Sequence, residues 1–469
     1  MKSYFCTNFP PNMIENTTIF TREELFSLFG EEHCHHLPIE CTSVTTDTRF
    51  LHSGALFIAL SGERFDGHDH VRSAIDKGAC AVMILHEKAA IYSDLPHIAV
   101  DDTLFALGEL ARFHRDKFSI PIIAIAGAAG KTSTKELIAH CCAAQAITLK
   151  TESNYNNRIG VPLTLLQLQT YHQAAVIEIG TNEPGEIERL AHIVAPTVGV
   201  ITNIGKEHLE KLIDLDGVEK EETALFRFLE TNKGIPVINL DDERLARYVG
   251  INKAVTFSTR THADIATTHT FDAELHPQLT LCYQNSIAPC VLKTIGPTAV
   301  LNATAAIAAC LAAGMELGSV LKALAEYTPA ETHGYARMVV QKIHGITFLN
   351  DCYNANPESM ALALNTLYEY PAHGKKIAVL GDMRELGDAT DIEHQVLINN
   401  AITKAHHLIV IGEYCINAAL RIQADTISIA ASHEQCAEQL RTLSKTDDIV
   451  LIKGSRGMRM EKVIELFNL

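Results

Sequence analysis

The chain has little positive charge and no long apolar run. Its 39 Lys and Arg residues stand against 56 Asp and Glu, which gives a formal net charge of −17. Proteins that bind a nucleic-acid backbone concentrate Lys and Arg, so this balance argues against such a partner. No run approaches the length of about 20 apolar residues that a bilayer-spanning helix needs, and we therefore expect no membrane span.

Paired cysteine motifs are also missing. The chain has 12 Cys, and none of them forms a C-x-x-C pair. Residues 1–30 mix polar and charged side chains without the apolar segment of a secretory signal, so we expect a cytoplasmic chain with reduced thiols. The segment His33-Cys34-His35-His36 lacks the paired short spacings of structural zinc sites, and we predict no metal there.

The length predicts several domains. At about 150 residues per domain, the 469 residues of the chain correspond to three. A buried strand at 122–126 leads directly into a glycine-rich turn, which marks the start of a domain, and Thr328-Pro329 ends a helical region. We therefore predict domains at 1–119, 120–327 and 328–469.

Apolar runs alternate with helix-length segments after residue 121, which predicts parallel sheets. In the middle of the chain the runs are 175–179, 198–201 and 235–240; later they are 346–349, 376–380, 407–411 and 448–452. The predicted fold class is α/β. We expect a small mixed N-terminal domain, a central P-loop domain with a parallel sheet, and a Rossmann-like C-terminal domain.

The segment Gly127-Ala128-Ala129-Gly130-Lys131-Thr132-Ser133-Thr134 lies between the strand and a helix. The amides of such a turn and the positive end of the helix hold phosphates, Lys131 would contact the β and γ oxygens, and Thr132 would ligate magnesium. Position 125 is Ile, so the match is to the shorter G-x-x-G-K-T form. We predict a nucleoside triphosphate with Mg²⁺, bound by Gly127, Gly130, Lys131, Thr132 and Ser133.

Two further residues are candidate magnesium ligands. Glu178 interrupts an apolar run, where a carboxylate is costly unless it faces a cation or another partner. His208 follows the run 198–201 after a short loop. Because strand ends meet at one edge of a parallel sheet, both could lie near the phosphates. A buried salt bridge for Glu178 and a surface position for His208 are the alternatives.

Taken in order, the motifs resemble the ATP-dependent Mur ligases of peptidoglycan synthesis. Within that family they are most similar to the branch that joins D-alanyl-D-alanine to UDP-N-acetylmuramoyl-tripeptide, over about residues 42–464. Besides the phosphate loop, the motifs are Thr46-Asp47-Thr48-Arg49, Asn154-Tyr155-Asn156-Asn157-Arg158, Asn203-Ile204-Gly205 through His208-Leu209-Glu210, Tyr353-Asn354-Ala355-Asn356-Pro357, Gly381-Asp382-Met383-Arg384-Glu385-Leu386-Gly387 and Lys453-Gly454-Ser455-Arg456-Gly457.

The resemblance implies a cytoplasmic enzyme that uses ATP, Mg²⁺, the UDP-linked tripeptide and the dipeptide. The γ-phosphoryl group would pass to the tripeptide carboxylate, and the dipeptide amine would attack the resulting acyl phosphate. We expect a monomer that takes part in cell-wall synthesis, cell shape and cell division. The resemblance leaves open whether the third residue of the tripeptide is diaminopimelate or lysine.

The resemblance also implies roles for individual residues. Near the UDP group it places Asp47, Thr48 and Arg49. Near the acceptor and the phosphates it places Asn156 and Asn157. Around the nucleotide it places Asn302, on the adenine side, with Arg337 and Asp351. Along the cleft it places Asn354, Asn356, Ser455 and Arg456. The implied catalytic set is Lys131, Glu178, His208 and Glu222, and the implied metal ligands are Thr132, Glu178, His208 and Glu222.

The chain departs from the family pattern at several positions. Glu222 stands where the family has a carbamylated lysine that carries a second Mg²⁺, and we hypothesise that its carboxylate takes that role without CO₂. The alternative is an exposed acidic helix with Lys220 as the modified residue. Ala299 and Ala336 also replace usual residues. These changes keep open a catalytically impaired binding or regulatory protein, or another amide ligase of the superfamily; a P-loop kinase would leave the first and third domains unexplained.

Overall fold

The computed structural model describes residues 15–62, 65–284, 286–329, 337–422 and 424–469. The chain forms two compact units, each made of two segments. The first unit comprises Met1–Ala124 and Ala146–Thr197, and the second comprises Ile125–Gln145 and Val198–Leu469. The division into domains at 1–119, 120–327 and 328–469 stays a prediction.

The N-terminal part of the first unit is a small mixed α/β structure. Its strands are β1 (Phe20–Thr21), β2 (Cys34–His35), β3 (Glu40–Cys41), β4 (Ser43–Thr45), β5 (Ala55–Ile58), β6 (Ser61–Gly62), β7 (Phe65–Asp66), β8 (Ala81–Leu85) and β9 (His97–Val100), and its helices are α1 (Arg22–Phe29), α2 (Val71–Asp76) and α3 (Thr103–Arg115). The main sheet has the order β2-β9-β8-β5-β4. Helix α3 begins where Asp102 accepts hydrogen bonds from the amides of Leu104 and Phe105.

The middle of the chain alternates strands and helices, as predicted. Its elements are β10 (Ile122–Ala126), α4 (Lys131–Ala143), β11 (Thr148–Lys150), α5 (Gly160–Leu165), β12 (Ala174–Glu178), α6 (Glu186–Val194), β13 (Val198–Ile201), α7 (Leu209–Leu212), α8 (Leu215–Glu222), α9 (Ala224–Thr231), β14 (Ile235–Asn239), β15 (Val255–Ser258), β16 (Ile265–Phe271), β17 (Pro277–Tyr283), β18 (Ser286–Val291), α10 (Pro297–Ala312) and α11 (Leu317–Glu326). The strands at 122–126 and 198–201 have the predicted limits.

The strand pairing shows both the predicted parallel sheet and an addition to it. In the first unit β11 pairs with β12 in parallel, and in the second unit β13, β14, β15 and β16 pair successively in parallel. Strands β17 and β18 then continue the second unit's sheet in antiparallel register. This antiparallel extension is not among the elements predicted from the sequence. In β17, buried residues alternate with exposed or partly exposed ones, a pattern typical of antiparallel strands with one solvated face.

The C-terminal part has a six-stranded sheet between two layers of helices. Its elements are β19 (Val339–Ile343), β20 (Ile346–Asp351), α12 (Pro357–Glu369), β21 (Lys376–Gly381), α13 (Thr390–Lys404), β22 (His407–Ile411), α14 (Glu413–Leu420), β23 (Ile427–Ala430), α15 (His433–Leu443), β24 (Ile449–Lys453) and α16 (Glu461–Phe467). The strand order is β19-β20-β24-β21-β22-β23, with only the first pair antiparallel.

Alternating side chains of these strands fill two separate cores. Ala378 and Leu380 of β21 pack with residues of α12, α13 and α14, whereas Ile377 and Val379 pack with residues of α15 and α16. This period of two places helices on both faces of a largely parallel sheet. The predicted α/β class and Rossmann-like C-terminal domain are confirmed. Among the described residues, no helix is both long and apolar enough to cross a membrane.

Candidate nucleotide-binding site

The glycine-rich segment forms a tight turn between β10 and α4 in the second unit. Gly127 has φ +112° and Gly130 has φ +84°, which L-residues with a Cβ rarely adopt. A Cβ on Gly127 would lie 2.4 Å from Oγ1 of Thr202, and one on Gly130 would lie 2.7 Å from Oδ1 of Asn302. Both glycines are therefore required by backbone conformation and by close neighbours. The turn leads into the N-terminus of the 13-residue helix α4, whose dipole favours an anion.

Neighbouring loops hold the turn through its own amides. The amide of Ala128 donates to the carbonyl of Asn203 at 3.0 Å, and the amide of Ala129 donates to the Asn203 side-chain oxygen at 2.8 Å. The amide of Gly127 donates to Oε2 of Glu222 at 2.7 Å. These bonds fix the loop before any ligand binds, and they leave the α4 end of the turn as its anion-binding part.

Two buried glutamates accompany Lys131 at this turn. Glu222 ends α8 and is fully buried, and Glu207, in the loop after β13, is 5% exposed. Oε2 of Glu207 lies 3.2 Å from Nζ of Lys131, which also donates to the carbonyl of Gly127. Burial and the charge of Glu207 raise the pKa of Glu222 well above its usual value. Burial raises the pKa of Glu207 too, but the charges of Lys131 and His208 outweigh it and lower that pKa.

His208 contacts the C-terminal part of the second unit. Its Nδ1 lies 2.7 Å from Oε2 of Glu385. Burial lowers the pKa of His208, but the hydrogen bond with Glu385 and the charge of Glu207 outweigh it, so the net shift is upward. His208 and Glu385 both have left-handed backbone, with φ +48° and +65°. Non-glycine residues in this region carry strain, which often accompanies functional sites.

Residues preceding His208 make further contacts with the same C-terminal elements. The amide of Lys206 donates to Oε1 of Glu358 on α12 at 2.7 Å, and its Nζ lies 2.6 Å from Oε1 of Glu393 on α13. Asn356, the residue that caps α12, donates from Nδ2 to the carbonyl of Ala128 at 3.1 Å. The phosphate loop and the loop that carries His208 are thus both packed against the C-terminal sheet domain of this unit.

The predicted nucleotide-side residues of the C-terminal part also lie at this site. Arg337 donates from Nη2 to Oγ1 of Thr132 at 2.7 Å, and its guanidinium lies 4.0 Å from the ring centre of Tyr353. Asp351 accepts a hydrogen bond from Nζ of Lys453 at 2.6 Å, and the same Nζ donates to the carbonyl of Asn354. A cation held by a hydroxyl and an aromatic face is well placed to contact a phosphate or a base.

Other predicted residues of the second unit have local partners. Asn302, on α10, is buried, and its Oδ1 accepts a hydrogen bond from Thr134 at 3.4 Å, so it lies directly behind the phosphate loop. Ser455 is buried and its Oγ has no hydrogen-bond partner, while Arg456 pairs with Glu461 at 2.9 Å. Ser133 lies in the first turn of α4. Ala299 lies in the first turn of α10, and Ala336 lies outside the described residues.

In the first unit, Glu178 is the last residue of β12 and is 2% exposed. Its Oε1 accepts a hydrogen bond from Nδ2 of Asn156 at 2.8 Å. Asn157 has a structural task, because its Oδ1 accepts the amides of Ile159 and Gly160 at the start of α5. The structure therefore brings Glu178 and Asn156 together, and the proposed metal-ligand role of Glu178 stays a prediction.

The motif predicted to face UDP forms a turn at the end of β4. Asp47 accepts the amide of Arg49 at 2.9 Å, and its carboxylate also pairs with the guanidinium of Arg49, whose side chain is 74% exposed. Lys77 donates to the carbonyl of Thr48 at 3.0 Å. An exposed guanidinium on a rigid turn can contact a phosphate group.

A third cluster lies at the motif that begins with Gly381. Side-chain atoms of Asp382, His394 and Cys415 approach within 4.8 Å of one another, and all three residues are buried. Both ring nitrogens of His394 already make hydrogen bonds, because Nε2 accepts the amide of Met383 and Nδ1 lies 2.7 Å from the carbonyl of Thr390. The amide of Cys415 donates to Asp382 at 2.9 Å. The cluster is thus a hydrogen-bonded structural element and offers no free imidazole for a metal.

Sequence reasoning missed two acids of the site. Glu207 adjoins His208 in the chain, and Glu385 lies in a recognised motif, but neither received a role. A buried carboxylate cannot be inferred from an isolated Glu in a polar loop. For Glu207, the one indication in the sequence was its position directly before His208, a predicted ligand.

Comparisons with known proteins give a consistent result. Residues 125–310 match the family model described as the Mur ligase middle domain. Residues 336–456 match the model of the Mur ligase glutamate ligase domain, and residues 40–115 match that of the Mur ligase family catalytic domain. The three matches follow one another along the chain in the order of the three predicted domains.

Full-length relatives are also similar. The UDP-N-acetylmuramoyl-tripeptide–D-alanyl-D-alanine ligase of Bacillus subtilis is 32% identical over 428 residues, which cover 90% of this chain and 92% of that protein. The Escherichia coli protein of the same name is 32% identical over 434 residues, covering 91% and 93%. Among solved structures, MurF from Acinetobacter baumannii has a TM-score of 0.88 at 29% identity and covers 97% of this chain and 100% of that one. MurF from Thermotoga maritima in complex with ADP has a TM-score of 0.82 at 27% identity, covering 91% and 96%.

Proposed function

Because this chain belongs to the Mur ligase family, we propose that it joins D-alanyl-D-alanine to UDP-N-acetylmuramoyl-tripeptide at the expense of ATP. The observation that carries the proposal is the second unit's site. There a strand–loop–helix turn for phosphates, Lys131, two buried acids and Arg337 come together. The names of the full-length relatives supply the substrate class.

A divalent cation fits the residues present. Oε1 of Glu207 and Oε1 of Glu222 are buried and have no hydrogen-bond partner. Carboxylate oxygens are the ligands that Mg²⁺ prefers, and an orphaned buried oxygen is costly unless a cation or donor satisfies it. Thr132, Glu222 and His208 would hold the metal together with the nucleotide, and the ligand role of Glu178 stays a prediction from the resemblance. When bound, magnesium would neutralise charge on the phosphate oxygens.

The structure supports Glu222, rather than a carbamylated Lys220, as the acid of this site. Glu222 is fully buried, and its Oε2 accepts the amide of Gly127 at 2.7 Å. Lys220 lies two residues earlier on α8, and its side chain is exposed to solvent. A carbamate at position 220 would therefore lie on the solvated face of α8, away from the phosphate loop.

The chain's own groups suit the two steps of such a ligation. Lys131 and the α4 end of the loop would stabilise the γ-phosphoryl group as the tripeptide carboxylate attacks it and ADP leaves. The dipeptide amine then attacks the acyl carbonyl, loses a proton and expels phosphate. Contacts such as Asn356 with Ala128 keep the C-terminal part packed on the loop, which helps to exclude water from the acyl phosphate.

The same proposal covers the organisation of the chain. We infer a UDP-substrate domain at 1–119 that uses Asp47, Thr48 and Arg49, an ATP-binding domain at 120–327 and a Rossmann-like domain at 328–469. The matches of the three family models to 40–115, 125–310 and 336–456 support this division. We further propose a cytoplasmic monomer.

The test is phosphate release by the purified full-length chain. ATP, Mg²⁺ and UDP-N-acetylmuramoyl-tripeptide are supplied with or without D-alanyl-D-alanine, using the diaminopimelate and lysine tripeptides in turn. We expect release that requires the dipeptide, together with a new UDP-linked pentapeptide by mass spectrometry. Nucleotide and tripeptide binding without turnover on either substrate would instead indicate a binding or regulatory protein.

Two variants test whether Glu222 or a carbamylated Lys220 is the acid of the site. Glu222→Gln should abolish most phosphate release, and Lys220→Ala should leave it near the wild-type level with or without bicarbonate. Activity that rises with bicarbonate and disappears in Lys220→Ala would contradict the role of Glu222.

A further inference from the structure

Glu207 is not among the metal ligands named so far, yet its carboxylate pairs with Lys131 at the phosphate loop. It lies in the loop between β13 and α7, directly before His208. Its side chain is 6% exposed, and its two oxygens differ in their surroundings. Oε2 lies 3.2 Å from Nζ of Lys131, whereas Oε1 is buried and has no hydrogen-bond partner.

Resting on the function proposed above, we propose that Glu207 is a direct cation ligand that forms, with Glu222, a carboxylate pair for a divalent ion at the phosphate loop. Glu207 is absent from the predicted ligand set, and it adds a buried carboxylate in the same unit as Glu222. Because Glu207 and His208 are adjacent, one loop would supply two ligands and α8 would supply the third.

The charges at the site support this assignment. Glu207 and Glu222 are two buried carboxylates, and Glu207 pairs with Lys131. The imidazole of His208 is engaged through Nδ1 by a different acid, Glu385. The two carboxyl groups also lie within hydrogen-bond reach of each other, so a shared proton or a cation between them would offset their repulsion, and buried carboxylates in proteins are paired or coordinate metals.

The unpartnered oxygens give a second and independent indication. Oε2 of Glu222 is held by the amide of Gly127, and Oε2 of Glu207 by Lys131, so each carboxylate is anchored through one oxygen. The other oxygen of each is buried without a partner. Two adjoining carboxylates, each anchored through one oxygen, form an arrangement that binds a cation with little loss of side-chain entropy.

Mn²⁺ binding to the full-length chain tests the proposal. Free Mn²⁺ is measured by electron paramagnetic resonance during titration, with and without a non-hydrolysable ATP analogue. We expect Glu207→Gln to weaken Mn²⁺ binding at least about tenfold, and Glu222→Gln to weaken it similarly. The double variant should lose less than the product of the two effects, because both side chains serve one ion.

Glu186→Gln is the matched control. Glu186 is also a buried glutamate, but its carboxylate accepts the amides of Asn182 and Glu183 in the first unit, and glutamine keeps an oxygen for them. This variant should bind Mn²⁺ like the wild type. If Glu207→Gln also binds Mn²⁺ normally and changes only the affinity for the ATP analogue, then Glu207 merely positions Lys131 and the proposal is wrong.

A crystallographic measurement covers the case in which Glu207→Gln does not fold. Anomalous diffraction from wild-type crystals that contain Mn²⁺ and the ATP analogue should show manganese bonded to the Glu207 carboxylate, and a peak without that bond would overturn the proposal. Dipeptide-dependent phosphate release by the wild type distinguishes failure of the cation-ligand role from failure of the proposed function. If release occurs but Mn²⁺ avoids Glu207, only the cation-ligand role fails; if release is absent, the proposed function fails.

Discussion

Gly127→Ala perturbs the phosphate loop at its most crowded position. Gly127 has φ +112°, and an added Cβ would lie 2.4 Å from Oγ1 and 2.8 Å from the amide nitrogen of Thr202. It would also lie 3.0 Å from the amide nitrogen of Asn203. Since two of these three atoms belong to the backbone, a side-chain rotation cannot relieve the overlap, and the loop itself must shift.

Two terms give the expected loss of stability. The left-handed conformation costs an alanine about 1–2 kcal/mol, and forcing a methyl group into a packed site costs about 1–3 kcal/mol more. The free energy of unfolding should therefore fall by about 2–5 kcal/mol. Nucleotide affinity should fall as well, because a shift of the loop breaks two hydrogen bonds that hold it. These join the Gly127 amide to Glu222 and the Ala128 amide to Asn203.

Gly314→Ala is the matched control in the same unit. Gly314 has φ +85°, but a Cβ there would meet no atom within 4 Å. Only the conformational term applies, so we expect a loss of about 1–2 kcal/mol at most. Urea unfolding of both variants measures the difference, provided that the slope with denaturant is unchanged. Equal losses for the two variants, or wild-type affinity of Gly127→Ala for an ATP analogue, would refute the assignment of the loop.

Three other predictions concern local interactions. Glu385→Gln should lower the pKa of His208, because the native carboxylate raises it; histidine NMR titration measures this, and an unchanged pKa would contradict the pairing. Asp66 has its pKa lowered to about 2, because the amide and ring of His68 and a neighbouring hydroxyl outweigh the effect of burial. After allowance for its 38% exposed side chain, we expect the Asp66 carboxylate to contribute about 1 kcal/mol of stability at pH 7. This contribution is present above the usual pKa of 3.8 and is lost as the pH falls towards 2. The thermal unfolding midpoints of Asp66→Asn and the wild type should therefore converge in acid. Asp102→Ala should destabilise α3 by about 1 kcal/mol in the same assay, whereas an unchanged midpoint would exclude its capping role.

Much of the fold follows from local patterns. The strands at 122–126, 198–201 and 407–411 have the predicted limits, because each is a continuous apolar run bounded by turn residues. The alanine-rich helix α10 begins at Pro297, since proline is favoured at the first helical position and Gly296 precedes it. The antiparallel strands β17 and β18 were missed because they carry a weaker, alternating pattern.

The candidate site was predicted less completely than the fold. The phosphate loop was identifiable because its function requires a fixed local spacing of glycines, Lys131 and Thr132. Glu207 was not identifiable, because its burial and its contact with Lys131 depend on packing between segments 76 positions apart. Asn302 was named only through the resemblance to the family, and its contact with Thr134, 168 positions away in the chain, required the tertiary structure.

The sequence by itself determined the alternation of strands and helices, the phosphate loop, the excess of acidic residues and the resemblance to one ligase family. These features depend on residue type and short spacing, which the chain carries whatever its tertiary fold. Only the tertiary structure decided that Glu222 lies against the Gly127 amide, that Glu207 pairs with Lys131 and that Glu385 pairs with His208. The local sequence around a charged residue does not show whether its side chain is solvated or buried. Burial depends on distant segments that pack over the side chain and exclude water from it.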